Sequence, residues 1–168
     1  MSNLKFFLHL LMLLLLQWAI LDNIQLHSYI YINIYILAIY ILPYRLRDAM
    51  ILVFGFLLGL IMDFADNTMG IHAAATTLLA YMRPRLLILT SNREQIDDIQ
   101  GKQRISDFGW FFKYVLVSTF IFNIVLMFCE AFSFHNFFIT LLRIVCSTLA
   151  SVFFILLYYF IALKQRKN

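Results

Sequence analysis

Charge is what this sequence has least of. Charged residues make up 13% of its 168 positions, about half the share of an ordinary soluble domain. That shortage excludes a conventional water-exposed surface. Cysteine is almost absent: Cys129 and Cys146 both lie in apolar runs with no ligand spacing around them. A disulfide framework or zinc site is therefore excluded, and both read as small buried hydrophobes. With two prolines and five glycines, no linker divides the chain, and there is neither an internal repeat nor a low-complexity segment. HExxH, a phosphate-cradling glycine loop and a Ser/His/Asp set are all missing. His9, His27, His72 and His135 stand isolated, each read as an interface or packing residue. Nothing supports catalysis, and no metal or cofactor is expected.

Apolar residues reach 63% and aromatics 17%. About 20 such residues cross a hydrocarbon core of about 30 Å. The runs predict six helices, Leu4–Leu21, Ile24–Leu42, Ala49–Phe64, Met69–Leu89, Phe108–Glu130 and Phe137–Leu163. We therefore expect one all-α membrane domain.

Twelve of the thirteen Lys and Arg residues fall in every second gap between these runs or toward the run ends that border those gaps. Lys5 stands at the start of the first run, and Arg45 and Arg47 follow the second. Arg83, Arg85, Arg93, Lys102, Arg104 and Lys113 lie between or beside the fourth and fifth, and Lys164, Arg166 and Lys167 close the chain. The intervening gaps hold Asp22, Asp63, Asp66 and Glu130 but no cation. Cytoplasmic loops retain Lys and Arg, so both ends are expected in the cytoplasm. The net charge of +4 is then directed at lipid headgroups, not at nucleic acid. Lys5 followed by Phe6–Leu16 imitates a signal peptide, but Gln17-Trp18-Ala19 offers no small-residue cleavage site, so we expect a retained first helix. The polar stretch Thr90–Asp107 reads as a solvated cytoplasmic loop, or more sharply as a docking surface for a cytoplasmic partner.

Three spans have individual features. Tyr29 to Ile36 alternates with period two, a strand pattern in water. An isolated strand in lipid leaves its backbone unpaired, so a helix is expected. The third run is short: Asp48 to Asp63 rises only about 22 Å, placing Asp63 below the outer surface. In the fourth, Arg83-Pro84-Arg85 predicts a kink or helix end, with the arginines snorkelling to the cytoplasmic interface.

An ionisable residue inside a span calls for a partner. Arg143, the one cation within a run that lies toward a cation-free gap, is about two turns into an outward-to-inward helix. Asp63 and Glu130 share its expected depth, so Arg143 pairs with one of them or snorkels outward. Gly55, Gly59 and Asp63 recur at four-residue spacing along one side of the third helix, where small residues permit close helix approach. Gly70-Ile71-His72-Ala73-Ala74-Ala75 opens the fourth helix, predicting tight packing of the two.

These residues also carry a resemblance. Leu42-Pro43-Tyr44-Arg45, then Gly55-Phe56-Leu57-Leu58-Gly59-Leu60-Ile61-Met62-Asp63, then Gly70-Ile71-His72-Ala73 and Ala80-Tyr81 resemble the rod shape-determining MreD family. That family carries Pro-x-Arg, then G-F-x-x-G-x-x-x-D, then a short loop and L-G-x-x-A. Leu14-Leu15-Leu16-Gln17 extends the match weakly. Met69 stands in place of the leucine, and the stretch between Pro43 and Gly55 is longer than in some relatives. The motif-bearing part covers about a quarter of the chain. The resemblance implies a non-enzymatic scaffold subunit of the bacterial elongation (rod) complex in the inner membrane. It also implies contact with MreC, with RodA and a class-B penicillin-binding protein, and with MreB indirectly or through cytoplasmic loops. Gly55, Gly59, Asp63, Gly70, Pro43 and Arg45 would serve packing or partner docking, and Arg143 would be a buried counter-ion.

The family fold is thought to be similar to the substrate-binding subunits of energy-coupling-factor transporters. A small-molecule-binding transporter subunit is therefore the alternative. Those subunits dock their coupling protein through Ala-xxx-Ala on the first helix. That spacing is absent throughout this chain, and the first run holds only Ala19.

Overall fold

The computed structural model describes residues 3–18, 31–43, 46–91, 108–131 and 137–163. Among them helix is the only regular secondary structure. The helices are α1 (Asn3–Leu16), the single turn α2 (Leu37–Tyr40), α3 (Asp48–Asp66), α4 (Ile71–Thr90), α5 (Phe108–Ala131) and α6 (Phe137–Tyr158). A π-helical turn, Tyr159–Leu163, extends α6. Among the described residues, three stretches are long and apolar enough to cross a membrane: Asp48–Asp66, Phe108–Glu130 and Phe137–Ile161. Where the loops Thr90–Asp107 and Ala131–Asn136 were expected, residues 92–107 and 132–136 lie outside the described set.

Local chemistry sets the boundaries of α3 and α4. Arg47 is extended at φ −63°, ψ 138°, and Asp48 occupies the first turn of α3, where a negative charge complements the helix dipole. Asn67, left-handed at φ 55°, ends α3 by returning its N–H to the Asp63 carbonyl, a common helix stop. Gly70 at φ 82° then precedes α4. This positive φ is costly for residues with a Cβ. Pro84 neither ends nor interrupts the assigned helix: α4 runs through it to Thr90. α3 is longer than the apolar run alone suggested. Its 19 residues rise about 28 Å, with Asp63 one turn below the end.

The second predicted span needs correction. Of the expected helix over Ile24–Leu42, residues 24–30 lie outside the described residues; among the rest, residues 31–34 have irregular backbone and α2 occupies only four residues. Side chains from other helices replace the missing helical bonds. Gln17 Nε2 donates to the Ile32 carbonyl at 2.7 Å, and the Ile34 N–H donates to Gln17 Oε1 at 2.9 Å. One amide side chain thus imitates a neighbouring strand. Tyr31 N–H donates to Ser147 Oγ at 3.0 Å and Asn33 N–H to Ser151 Oγ at 2.9 Å. Ser151 Oγ also donates to the Tyr31 carbonyl at 3.4 Å. Buried backbone N–H and C=O groups need partners, and here side chains supply them. The Asn33 side chain continues inward, Nδ2 donating to Asn123 Oδ1 at 3.2 Å, and Asn123 Nδ2 to Thr148 Oγ1 at 3.1 Å.

Apolar packing surrounds this polar seam. Tyr35, Ile36, Leu37, Leu58, Leu79, Phe111, Phe122 and Ile155 are fully buried or nearly so. The opposite faces remain apolar but uncovered: Val53, Phe56, Leu57, Ile61 and Phe64 on α3, and Phe138, Leu142, Leu149 and Phe153 on α6. Large continuous apolar exposure of this kind marks a surface facing lipid or protein.

Candidate functional site

The residues quoted for the resemblance meet at the α3–α4 joint. A Cβ on Gly55 would lie 2.8 Å from Ala80 Cβ and 3.0 Å from the Thr76 carbonyl oxygen. On Gly59 it would lie 2.2 Å from Thr76 Oγ1, 2.4 Å from Ala73 Cα and 2.6 Å from Ala73 N. These contacts place α4 directly against the glycine stripe. Gly70 has a different role: nothing lies near its would-be side chain, and its positive φ makes the constraint one of backbone conformation.

Asp63 closes the same joint and is 5% exposed. Its Oδ1 accepts from Thr68 Oγ1 at 2.5 Å and from the His72 N–H at 3.0 Å, while Oδ2 accepts from the Ala73 N–H at 2.8 Å. The first N–H groups of a helix have no internal partner. Asp63 thus caps α4 from outside, and its negative charge lies at the positive end of the helix dipole. Charge-assisted bonds of this type each contribute about 1.5–3 kcal/mol. The spacing Gly55, Gly59, Asp63 follows directly: two turns of close approach bring the carboxylate opposite the start of α4.

His72 is more than a packing residue. Its Nδ1 lies 2.8 Å from the buried Tyr35 hydroxyl, and its Nε2 lies 3.3 Å from Asp66 Oδ2. In the neutral ring with the proton on Nε2, Nδ1 accepts from Tyr35 and Nε2–H faces Asp66. The bridge connects α4, the end of α3 and the turn preceding α2. Isolated residues in sequence gave no sign of this three-member link.

Asp63 accepts from Thr68, His72 and Ala73. Arg143 places its guanidinium 5.6 Å from the Tyr31 ring centroid. Tyr31 in turn donates its hydroxyl to Glu130 Oε1 at 3.2 Å. Arg143 and Glu130 therefore share one neighbour, an aromatic residue of the irregular segment that charge-based reasoning overlooked.

The remaining candidates lie at the opposite end of α3. Pro43 is exposed, and its carbonyl accepts from the Leu46 N–H at 3.4 Å; Arg45 lies outside the described residues. Arg85 is exposed beside Tyr81, with its guanidinium 4.8 Å from the ring centroid. Arg83 does not snorkel: it is 3% exposed and donates from Nη2 to the Leu42 carbonyl. Helical phase turns it inward while Arg85 faces out. Cys129 and Cys146 are half-buried free thiols. Among the described residues, no group of three or more His, Cys, Asp or Glu is placed to hold a metal.

No family model, curated protein or solved structure matches this chain.

Proposed function

We propose that this chain is a six-span inner-membrane scaffold subunit of the MreD kind, serving rod-type peptidoglycan synthesis without catalysis. The observation that carries the reading is the α3–α4 joint. Gly55, Gly59, Asp63 and Gly70, quoted for the resemblance, work there as one unit of close approach, carboxylate cap and left-handed turn. Such a unit gives a rigid two-helix wall whose apolar outer face, including Phe56, Leu57 and Ile61, suits contact with lipid or with a membrane helix. MreC, RodA and the class-B penicillin-binding protein are the proposed partners, with MreB reached indirectly or through cytoplasmic loops. Alternation of cation-rich and cation-free gaps supports both ends in the cytoplasm.

The second reading, a small-molecule-binding transporter subunit, draws on the irregular Tyr31–Ile34 backbone. Broken helices near the midplane recur at transporter binding sites. Here Gln17, Ser147 and Ser151 already occupy much of that backbone, which favours structural closure over ligand capture. In-membrane cross-linking followed by mass spectrometry tests the choice. Recovery of MreC with the synthase pair supports the scaffold, whereas a coupling ATPase without wall-synthesis proteins overturns it.

A further inference from the structure

Two of the three most exposed large apolar side chains among the described residues flank a single turn. Phe64 is 83% exposed, and Met69, five residues on, is fully exposed. Phe64 also ends a row on α3. Val53, Leu57 and Ile61 precede it at four-, four- and three-residue spacing, each about half exposed. The turn therefore prolongs an uncovered apolar helix face of the kind that meets lipid or protein.

The turn reverses the usual arrangement of a water-facing loop, because many of its polar groups point inward. The Asn67 and Thr68 N–H groups both donate to the Asp63 carbonyl, and Thr68 Oγ1 donates to Asp63 Oδ1. The Ala74 N–H returns to the Gly70 carbonyl at 3.0 Å. The Asp63 carboxylate takes the His72 and Ala73 N–H groups, and the Asp66 carboxylate faces His72 Nε2. In water, solvent can satisfy such groups; next to lipid the protein has to do so itself. Asp66 and Asn67 keep polar exposure, as suits the headgroup layer.

Helix length gives the depth. Exposed Arg47 and Asp48 mark the cytoplasmic start of α3 under the proposed topology. From Asp48 to Phe64 the helix rises about 24 Å, less than a hydrocarbon core of about 30 Å. An external protein partner would have to reach below the membrane surface to cover Phe64, so the geometry favours lipid. We infer that the α3–α4 turn does not project from the membrane, and that Phe64 and Met69 are set into the outer leaflet as paired lipid anchors. The carboxylate cap and the left-handed Gly70 fix the shape of the turn, so these anchors set the depth of the whole α3–α4 pair. The inference rests on the membrane placement proposed above and is independent of the partner assignment.

The test uses the full-length chain with Cys129→Ala and Cys146→Ala, reconstituted in phosphatidylcholine–phosphatidylglycerol vesicles. Spin labels are attached at Phe64→Cys, Met69→Cys or, as a reference within the α3 row, Leu57→Cys. Power saturation then compares collisions with oxygen, which partitions into lipid, and with a water-soluble nickel chelate. Oxygen is expected to dominate at 64 and 69, and more strongly at 57. Nickel dominance at either turn position overturns the inference, since the turn then stands in water. Exclusion of both reagents overturns it in favour of a protein cover. Nickel dominance at 57 as well means that membrane placement itself has failed, a distinguishable result. If the thiol-free chain does not fold, Phe64→Trp in the native chain gives the same reading. Acyl-brominated phosphatidylcholine should quench its added emission beyond that of Trp18 and Trp110, and absence of extra quenching overturns the inference.

Discussion

Adding one methyl group at Gly59 should separate α3 from α4. The new Cβ would sit 2.4 Å from Ala73 Cα and 2.6 Å from Ala73 N, against an ordinary carbon contact of about 3.5–4 Å. These are backbone atoms and have no rotamer by which to yield, so the helices must part by roughly 1 Å. Overpacking of this type costs about 1–3 kcal/mol. The added methyl recovers up to about 1 kcal/mol of helix propensity, but opening the joint also stretches the Asp63 bonds to His72 and Ala73. A net loss of about 2–3 kcal/mol is expected for Gly59→Ala. Gly55→Ala should cost about half as much, because its nearest obstacle is the Ala80 Cβ at 2.8 Å. Graded detergent unfolding of purified protein, with a fluorescence readout, measures both. Thr76→Ala offers an internal check. It removes the 2.2 Å clash with Oγ1 but leaves Ala73 in place, so rescue should be partial. Wild-type stability in Gly59→Ala, or complete rescue by Thr76→Ala, would refute the packing argument.

Asp63→Asn should cost about 1–3 kcal/mol, because its NH2 group would face one of the donors now satisfied by Oδ1 or Oδ2; the same unfolding assay checks it. Ser151→Ala leaves the Asn33 N–H without its present acceptor, with an expected loss of about 1–3 kcal/mol and faster amide exchange at Asn33. Unchanged exchange there would contradict the proposed replacement of helical bonds. Tyr31→Phe should change stability by no more than about 0.5 kcal/mol, since the lost hydroxyl contact with Glu130 is exposed. A large loss would show that this hydroxyl has a further structural role.

Hydrophobic run length revealed most of the helices. The expected Phe108–Glu130 and Phe137–Leu163 lie almost residue for residue on α5 and on α6 with its π-helical extension, and Ala49–Phe64 falls inside α3. Four-residue spacing also indicated close approach at Gly55 and Gly59, since that periodicity is local to a helix. The irregular segment was less legible because its stabilising groups are distant in sequence: Gln17 lies 15–17 residues away, and Ser147 and Ser151 more than 100. The error was to assume that only a helix satisfies backbone groups in lipid. Ser147 and Ser151, four apart within an apolar run, were the available signal. Depth arguments place charges at one level but do not reveal that α4 amides have already taken the Asp63 carboxylate. Arg83 and Arg85 likewise look equivalent in sequence, and only the helical phase of α4 buries one and exposes the other.

The most direct test of the scaffold assignment is cross-linking of the tagged chain in its native membrane, followed by mild solubilisation and identification of cross-linked peptides. The account predicts recovery of MreC together with RodA and the class-B penicillin-binding protein, with links at the exposed faces of the membrane helices. Reproducible recovery of a coupling ATPase, with no wall-synthesis protein present, would contradict it.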